Sequence, residues 1–162
     1  MKTLFISLVL IVLFSGCGVY SLSGSSLPDH LRTVEIPLFD NKALAQFVPE
    51  ELTATLTEAV RRERLQLVAQ NGDAEIFGTI LTYSNSPYDY KGGRDNLNIK
   101  AYAVRILAQI TFVDNIKKDT LFNGKLTGLG VYDFDGESEE IGRKRAVAEL
   151  SDKIIFNSLK GW

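Results

Sequence analysis

Between Ile99 and Val113 the chain alternates with period two, and this stretch constrains the fold more than any other. Tyr102, Val104, Ile106, Ala108, Ile110 and Phe112 are all apolar, while the positions between them are Ala103, Arg105, Leu107, Gln109, Thr111 and Val113. Period two places successive side chains on opposite faces of a strand, so one face here is wholly apolar and has to be covered. Thr33 to Phe39 shows the same alternation, with Val34, Ile36 and Leu38 on one side. Pro37 has no amide hydrogen to give to a ladder, which predicts a sheet edge or a bulge there. Ala74 to Tyr83 is rich in β-branched and aromatic residues and follows the turn residues Asn71-Gly72-Asp73, so it reads as another main strand. Thr120 to Phe134 reads as a long but irregular strand, whose Gly124, Gly128 and Gly130 predict bulges or strong twist.

Two segments switch to helical spacing. Pro49 to Glu63 carries Leu52, Leu56, Ala59 and Val60 on one stripe, with Glu50 and Glu51 at the start and Arg61, Arg62 and Arg64 at the end, where they suit the helix dipole. From Ser138 onward Val147, Leu150, Ile154, Ile155 and Leu159 form a second stripe, ended by Gly161. Glu139 with Arg143 and Glu140 with Lys144 stand four apart on its exposed side. Leu65 to Ala69 is a short extended piece. The order strand, helix, short strand, three long strands, helix predicts an α+β fold: a two-layer sandwich with a four- to five-stranded, largely antiparallel sheet and two helices on one face.

Composition excludes several functions. The formal net charge of −2 gives no footprint for nucleic acid. One Cys and one His cannot build a disulfide framework or a structural zinc site. Asp133, Asp135 and Glu137 form one dense carboxylate run, but without the spacing of a calcium loop they read as a solvated loop and helix start. Gly128-Leu129-Gly130 lacks the spacing of a nucleotide fingerprint, and no pair of acids is singled out for proton transfer.

The N-terminus has a different chemistry. Lys2 precedes an apolar run from Leu4 to Phe14, broken by Ser7, and Ser15-Gly16-Cys17 follows. A bilayer-spanning helix needs about 20 apolar residues, so this shorter run reads as the core of a secretory signal. Phe14-Ser15-Gly16-Cys17 resembles the bacterial lipoprotein signal, with Phe14 in place of the commoner Leu. That resemblance implies cleavage after residue 16 and a covalent N-terminal lipid on Cys17. An ordinary cleaved signal or a buried free cysteine are the alternatives. Gly18, where an inner-membrane lipoprotein often carries Asp, points to the outer membrane, with the lipid-anchored chain on its periplasmic side. The expected organisation is a signal peptide at 1–16, a lipidated, Ser- and Gly-rich tether at 17–30, and a single domain at 31–162.

One turn combines charge with aromatic surface. Tyr88-Asp89-Tyr90-Lys91-Gly92-Gly93-Arg94 sets two cations around a Gly-Gly turn with tyrosines behind them. A phosphorylated, acylated sugar would be met by that mixture, and an ordinary solvated hairpin is the alternative. Four further stretches, taken in order, resemble the LptE family of lipopolysaccharide (LPS)-assembly lipoproteins. They are Cys17-Gly18-Val19-Tyr20-Ser21-Leu22, Val34 to Asn41, Ala74 to Ile80, and the closing Leu159-Lys160-Gly161-Trp162. The resemblance implies a protein that is not an enzyme, has no cofactor, plugs an LptD-like β-barrel in the outer membrane, helps it assemble, and binds LPS during insertion. It assigns LPS contact to Lys91 through Tyr90-Lys91-Gly92, and Arg94 is added on charge alone. The family's second basic site falls in the loop where this chain has Asp133 and Asp135. A tethered lipoprotein that regulates a periplasmic cell-envelope enzyme is the competing reading, and a periplasmic hydrolase is a third.

Overall fold

The computed structural model describes residues 28–63, 65–91 and 98–160. Strands β1 (Thr33–Glu35) and β2 (Asp40–Asn41) precede helix α1 (Val48–Arg62), which leads into β3 (Gln66–Val68). Three long strands follow, β4 (Ala74–Lys91), β5 (Asn98–Asp114) and β6 (Asp119–Asp133), and then helix α2 (Glu139–Ile155) with a π-helical turn at Phe156–Lys160.

The strands form one sheet in the order β3-β1-β4-β5-β6, with β2 also against β4. β4, β5 and β6 pair antiparallel, as the alternation predicts. β1 pairs parallel with both β3 and β4, and β2 pairs parallel with β4, so the sheet is mixed and has six strands. β1 is therefore an interior strand with β3 outside it. Pro37 acts differently from the edge expectation, because it stands in the break between β1 and β2.

Val104, Ile106, Ala108, Ile110 and Phe112 are all fully buried, which identifies the alternating face of β5 as the floor of the core. Each of the Val, Ile and Phe side chains among them contributes roughly 1.5–3 kcal/mol on leaving water. Leu52, Leu56 and Val60 of α1 and Val147, Leu150 and Ile154 of α2 roof the same cluster. The Arg143 guanidinium makes two 2.9 Å bonds to Glu51 and ties the helices together near their N-termini. Glu139, its expected partner, is engaged elsewhere, whereas Glu140 does meet Lys144 at 2.6 Å.

The glycines of β6 depart from the expectation. Gly124, Gly128 and Gly130 stand in regular register opposite Ile110, Ile106 and Val104, and the one irregularity between β5 and β6 falls at Phe112/Val113. A Cβ on Gly128 would strike the Ala146 carbonyl oxygen, and one on Gly130 would strike the Gly142 carbonyl oxygen. These two residues let the α2 backbone lie directly on the sheet; they are sites of close approach, not bulges.

Candidate functional site

The far end of the β4–β5 hairpin meets the loop between β6 and α2. Tyr90 pairs with Ile99 and Lys91 with Asn98 across the hairpin. Lys91 and Lys100 share an open recess of about 380 Å³ with Asp133, Asp135, Gly136 and Glu137. Lys91 Nζ donates to Asp135 at 3.1 Å, and Lys100 Nζ lies 3.4 Å from Asp89. All four side chains are more than half exposed, so both pairs are weak and exchange readily with water and salt. Glu137 is already committed. Arg145 grips both of its oxygens at 2.6–2.7 Å, and the Asp133 amide also donates to it. The Arg145 hydrogen bond, reinforced by the Asp133 amide, holds the Glu137 carboxyl below the usual range.

Around this recess two lysines face three aspartates, so the described part of the hairpin end carries no excess of positive charge. An anionic ligand that approaches Lys91 meets Asp135 as its competitor. Aromatic surface is also present. Tyr102 stacks on Tyr132 at 5.8 Å and touches Phe134 at the same distance, and Tyr90 and Phe134 are about half exposed. Arg94 and Cys17 both lie outside the described residues, as do the signal and all of the tether but its last residues.

One arrangement escaped sequence reasoning. The Tyr83 hydroxyl donates to Glu139 at 2.5 Å, and Asn85 Nδ2 reaches both Glu139 and the Tyr132 hydroxyl. Burial, and then this bond to Glu139, push the Tyr83 hydroxyl well above its ordinary value. The cluster fixes the middle of β4 to the start of α2. Its only signal was the pair of polar side chains in an otherwise apolar-facing register.

Acid chemistry finds little to work with. Glu35 and Glu75 lie opposite each other on β1 and β4. Burial, and then the Glu35 charge, raise the Glu75 carboxyl. Nearby Asp73 is occupied by the amides of Thr33 and Arg32, which lower it. Among the described residues no group of three or more His, Cys, Asp or Glu is arranged to hold a metal, and no helix is long and apolar enough to cross a membrane.

The family model for LptE, described as lipopolysaccharide-assembly, matches residues 31–157. The chain belongs to the LptE family. That match covers β1 to the π-helical turn, and so includes the hairpin and the recess of this LptE-family domain. Among solved structures, a protein of Xanthomonas campestris is similar at 8% identity and a TM-score of 0.51, covering 80% of this chain and 86% of that one. The rare lipoprotein B of Shewanella oneidensis is similar at 13% identity and a TM-score of 0.49, covering 76% and 90%. A minor lipoprotein of Acinetobacter baumannii follows at 13% identity and 0.47, covering 78% and 90%. At 8% identity the likeness to the Xanthomonas campestris protein is one of fold alone. No curated protein matches the sequence.

Proposed function

We propose that this LptE-family chain is an outer-membrane lipoprotein that plugs and helps assemble an LptD-like β-barrel and assists the insertion of LPS into the outer leaflet. The observation that carries this reading is the family match from residue 31 to residue 157, spanning the whole folded layer. In this reading residues 1–16 are a cleaved signal, Cys17 carries the covalent lipid, and residues 17–30 form a tether on the periplasmic side. Several acyl chains make a stable anchor where a single chain is marginal. The work is done by binding, with no reaction and no cofactor.

Lys91 and Arg94 are the proposed LPS contacts. Lys91 would exchange Asp135 for a phosphate oxygen, trading one exposed carboxylate for a more highly charged partner. Tyr90 and Phe134, each about half exposed, offer aromatic surface at this end of the sheet.

The test is identification of what co-purifies with the full chain from solubilised membranes. A large β-barrel protein is expected. Recovery of a periplasmic enzyme with no barrel would overturn the plug in favour of the tethered regulator. Lys91→Asp with Arg94→Asp is expected to reduce LPS capture while barrel recovery stays the same, and unaltered capture removes both residues from the role.

A further inference from the structure

The two edges of the long antiparallel sheet are treated differently. On β6, Lys153 donates to the Thr127 carbonyl, Arg145 donates to the Val131 carbonyl, and Glu149 and Glu137 accept from the amides of Leu129 and Asp133. Main-chain groups at four alternate outward positions are thus covered by charged side chains of α2 and the loop before it. An edge capped in this way offers no template to an incoming strand.

β4 differs. Its outer side is paired with β1 at Ala74–Glu75 and with β2 at Thr79–Ile80, and the Lys42 amide donates to the Ile80 carbonyl at 3.0 Å. Beyond that bond the chain turns away, and among the described residues the partners of β4 from Thr82 to Lys91 lie on β5 alone. The register fixes which groups this leaves free. Thr127, Leu129 and Val131 turn their main chain away from β5, so the residues opposite them, Leu107, Arg105 and Ala103, turn theirs toward β4. There they meet Thr82, Ser84 and Ser86. The alternate residues Tyr83, Asn85 and Pro87 therefore face outward. Pro87 has no amide hydrogen and closes the edge at its far end. What remains is a short template with full donor and acceptor sets at Tyr83 and Asn85, held rigid because both side chains are pinned to Glu139.

A second observation marks the same place. The loop that leaves β4 after Lys42 carries Leu44 at 85% exposure and Phe47 at 62%, with backbone φ angles of 54° and 65°. Large side chains in the left-handed region cost free energy, and such outliers concentrate at functional sites. Phe47 lies 5.8 Å from the Arg143 guanidinium, and the loop leaves the sheet directly after the Lys42–Ile80 bond, where the free edge begins.

We infer that the β4 edge at Tyr83–Asn85, with Leu44 and Phe47 beside it, is the docking site for a short extended segment of the barrel partner, added to the sheet as a further strand. The inference rests on the plug reading and names the surface that reading leaves open. A row of alternating amides and carbonyls is complemented by an extended polypeptide, and the two apolar side chains ask for apolar residues in that segment. An anionic lipid matches neither, because the nearby cations Arg143 and Lys144 are already paired with Glu51 and Glu140.

Hydrogen exchange of the chain alone and in complex with its co-purified barrel tests the site. Peptides spanning Thr82–Ser86 are expected to exchange at least tenfold more slowly in the complex. Leu44→Gly with Phe47→Gly is expected to lower barrel recovery at least tenfold while the melting temperature stays level or rises, because glycine relieves both left-handed residues. A barrel complex in which Thr82–Ser86 exchange at the free rate overturns the inference and leaves the plug reading intact. Slowed exchange without barrel, accompanied by doubling of the molecular mass, assigns the edge to a second copy and overturns it as well. Should the double variant fail to fold, the wild-type exchange comparison decides alone. Failure to recover any barrel refutes the plug reading itself.

Discussion

Replacing Gly130 with alanine tests how tightly α2 is seated on the sheet. A Cβ at Gly130 would lie 2.5 Å from the Ala146 amide nitrogen and 2.9 Å from Arg145 Cβ, and would overlap the Gly142 carbonyl oxygen. Ordinary contact begins near 3.4 Å, so the helix has to retreat by about 1.5 Å along a stretch whose two nearest neighbours are backbone. Overpacking of this kind costs about 1–3 kcal/mol. The smaller freedom of alanine in the unfolded chain returns about 0.4–1 kcal/mol. The retreat also pulls Arg145 from its 2.7 Å bond to the Val131 carbonyl. The expected net loss is about 2 kcal/mol, which at a urea slope of about 1–3 kcal/mol per molar moves the midpoint down by roughly 1 M. Gly136→Ala is the control, because nothing lies within 4 Å of its Cβ. It is expected to be neutral or to gain a few tenths of a kcal/mol, at about the resolution of the measurement. Urea unfolding followed by circular dichroism compares the two. If Gly130→Ala unfolds at the same midpoint as Gly136→Ala, the close-approach reading is wrong and the glycines serve strand twist after all.

Arg143→Ala removes the forked bond to Glu51, in which both side chains are less than one-quarter exposed, and is expected to cost about 1–2 kcal/mol in the same assay. Arg143→Lys keeps the charge but loses the fork, and should recover only part of that loss. Burial pushes the Asp114 carboxyl up, but the amides of Lys117 and Ile116 and the His30 ring outweigh it and hold it below 3.8. A lowered carboxyl contributes stability above its unfolded value and loses it as the pH falls through its folded value. Asp114→Asn is therefore expected to be less stable at pH 7 and to show a shallower decline below pH 3.8, measured by urea midpoints across pH. Asp135→Asn frees Lys91 from its ion pair and is expected to raise LPS capture about two- to fivefold at low salt, an effect that added salt should erase. Cys17→Ser is expected to release the chain from membranes that lack the barrel.

What the sequence made legible was local. Helix α1 begins one residue before the Pro49 signal and ends one residue before Glu63, and β5 extends the alternating run by a residue at each end. Those elements were readable because their stripes bury against one layer. The parallel pairs were not, since β1 has three residues and β2 two, too few for any period to show. Partner choice was equally hidden. Arg143 has Glu139 four residues away and takes Glu51, 92 residues away, because α1 crosses its path while Glu139 turns toward Tyr83. Lys91 was visible in a basic, aromatic turn and Asp135 in a separate run of carboxylates. Their pairing depends on where a hairpin and a loop 44 residues apart come to rest, which no local spacing encodes.

The two ends of the sheet bear on how an anchored plug would reach its cargo. His30, the last residue of the expected tether, meets buried Asp114 at 2.6 Å, and Asp114 closes β5. Asn98 opens that strand beside Lys91. A strand of 17 residues at about 3.4 Å each spans roughly 55 Å. A bilayer with its headgroups is about 40–45 Å thick. On the plug reading, a chain anchored in the inner leaflet and held upright inside a barrel would carry Lys91 to the level of the outer leaflet, where LPS has to arrive. The His30–Asp114 contact then matters for direction, because it fixes the start of the described chain at the end of β5 opposite the hairpin. His30→Ala should leave LPS capture by the isolated chain unchanged and lower the yield of correctly seated complex, measured by crosslinking from a probe beside Lys91 to the barrel lumen. Equal crosslinking in the variant and the wild type would show that the tether exit has no part in aiming the hairpin.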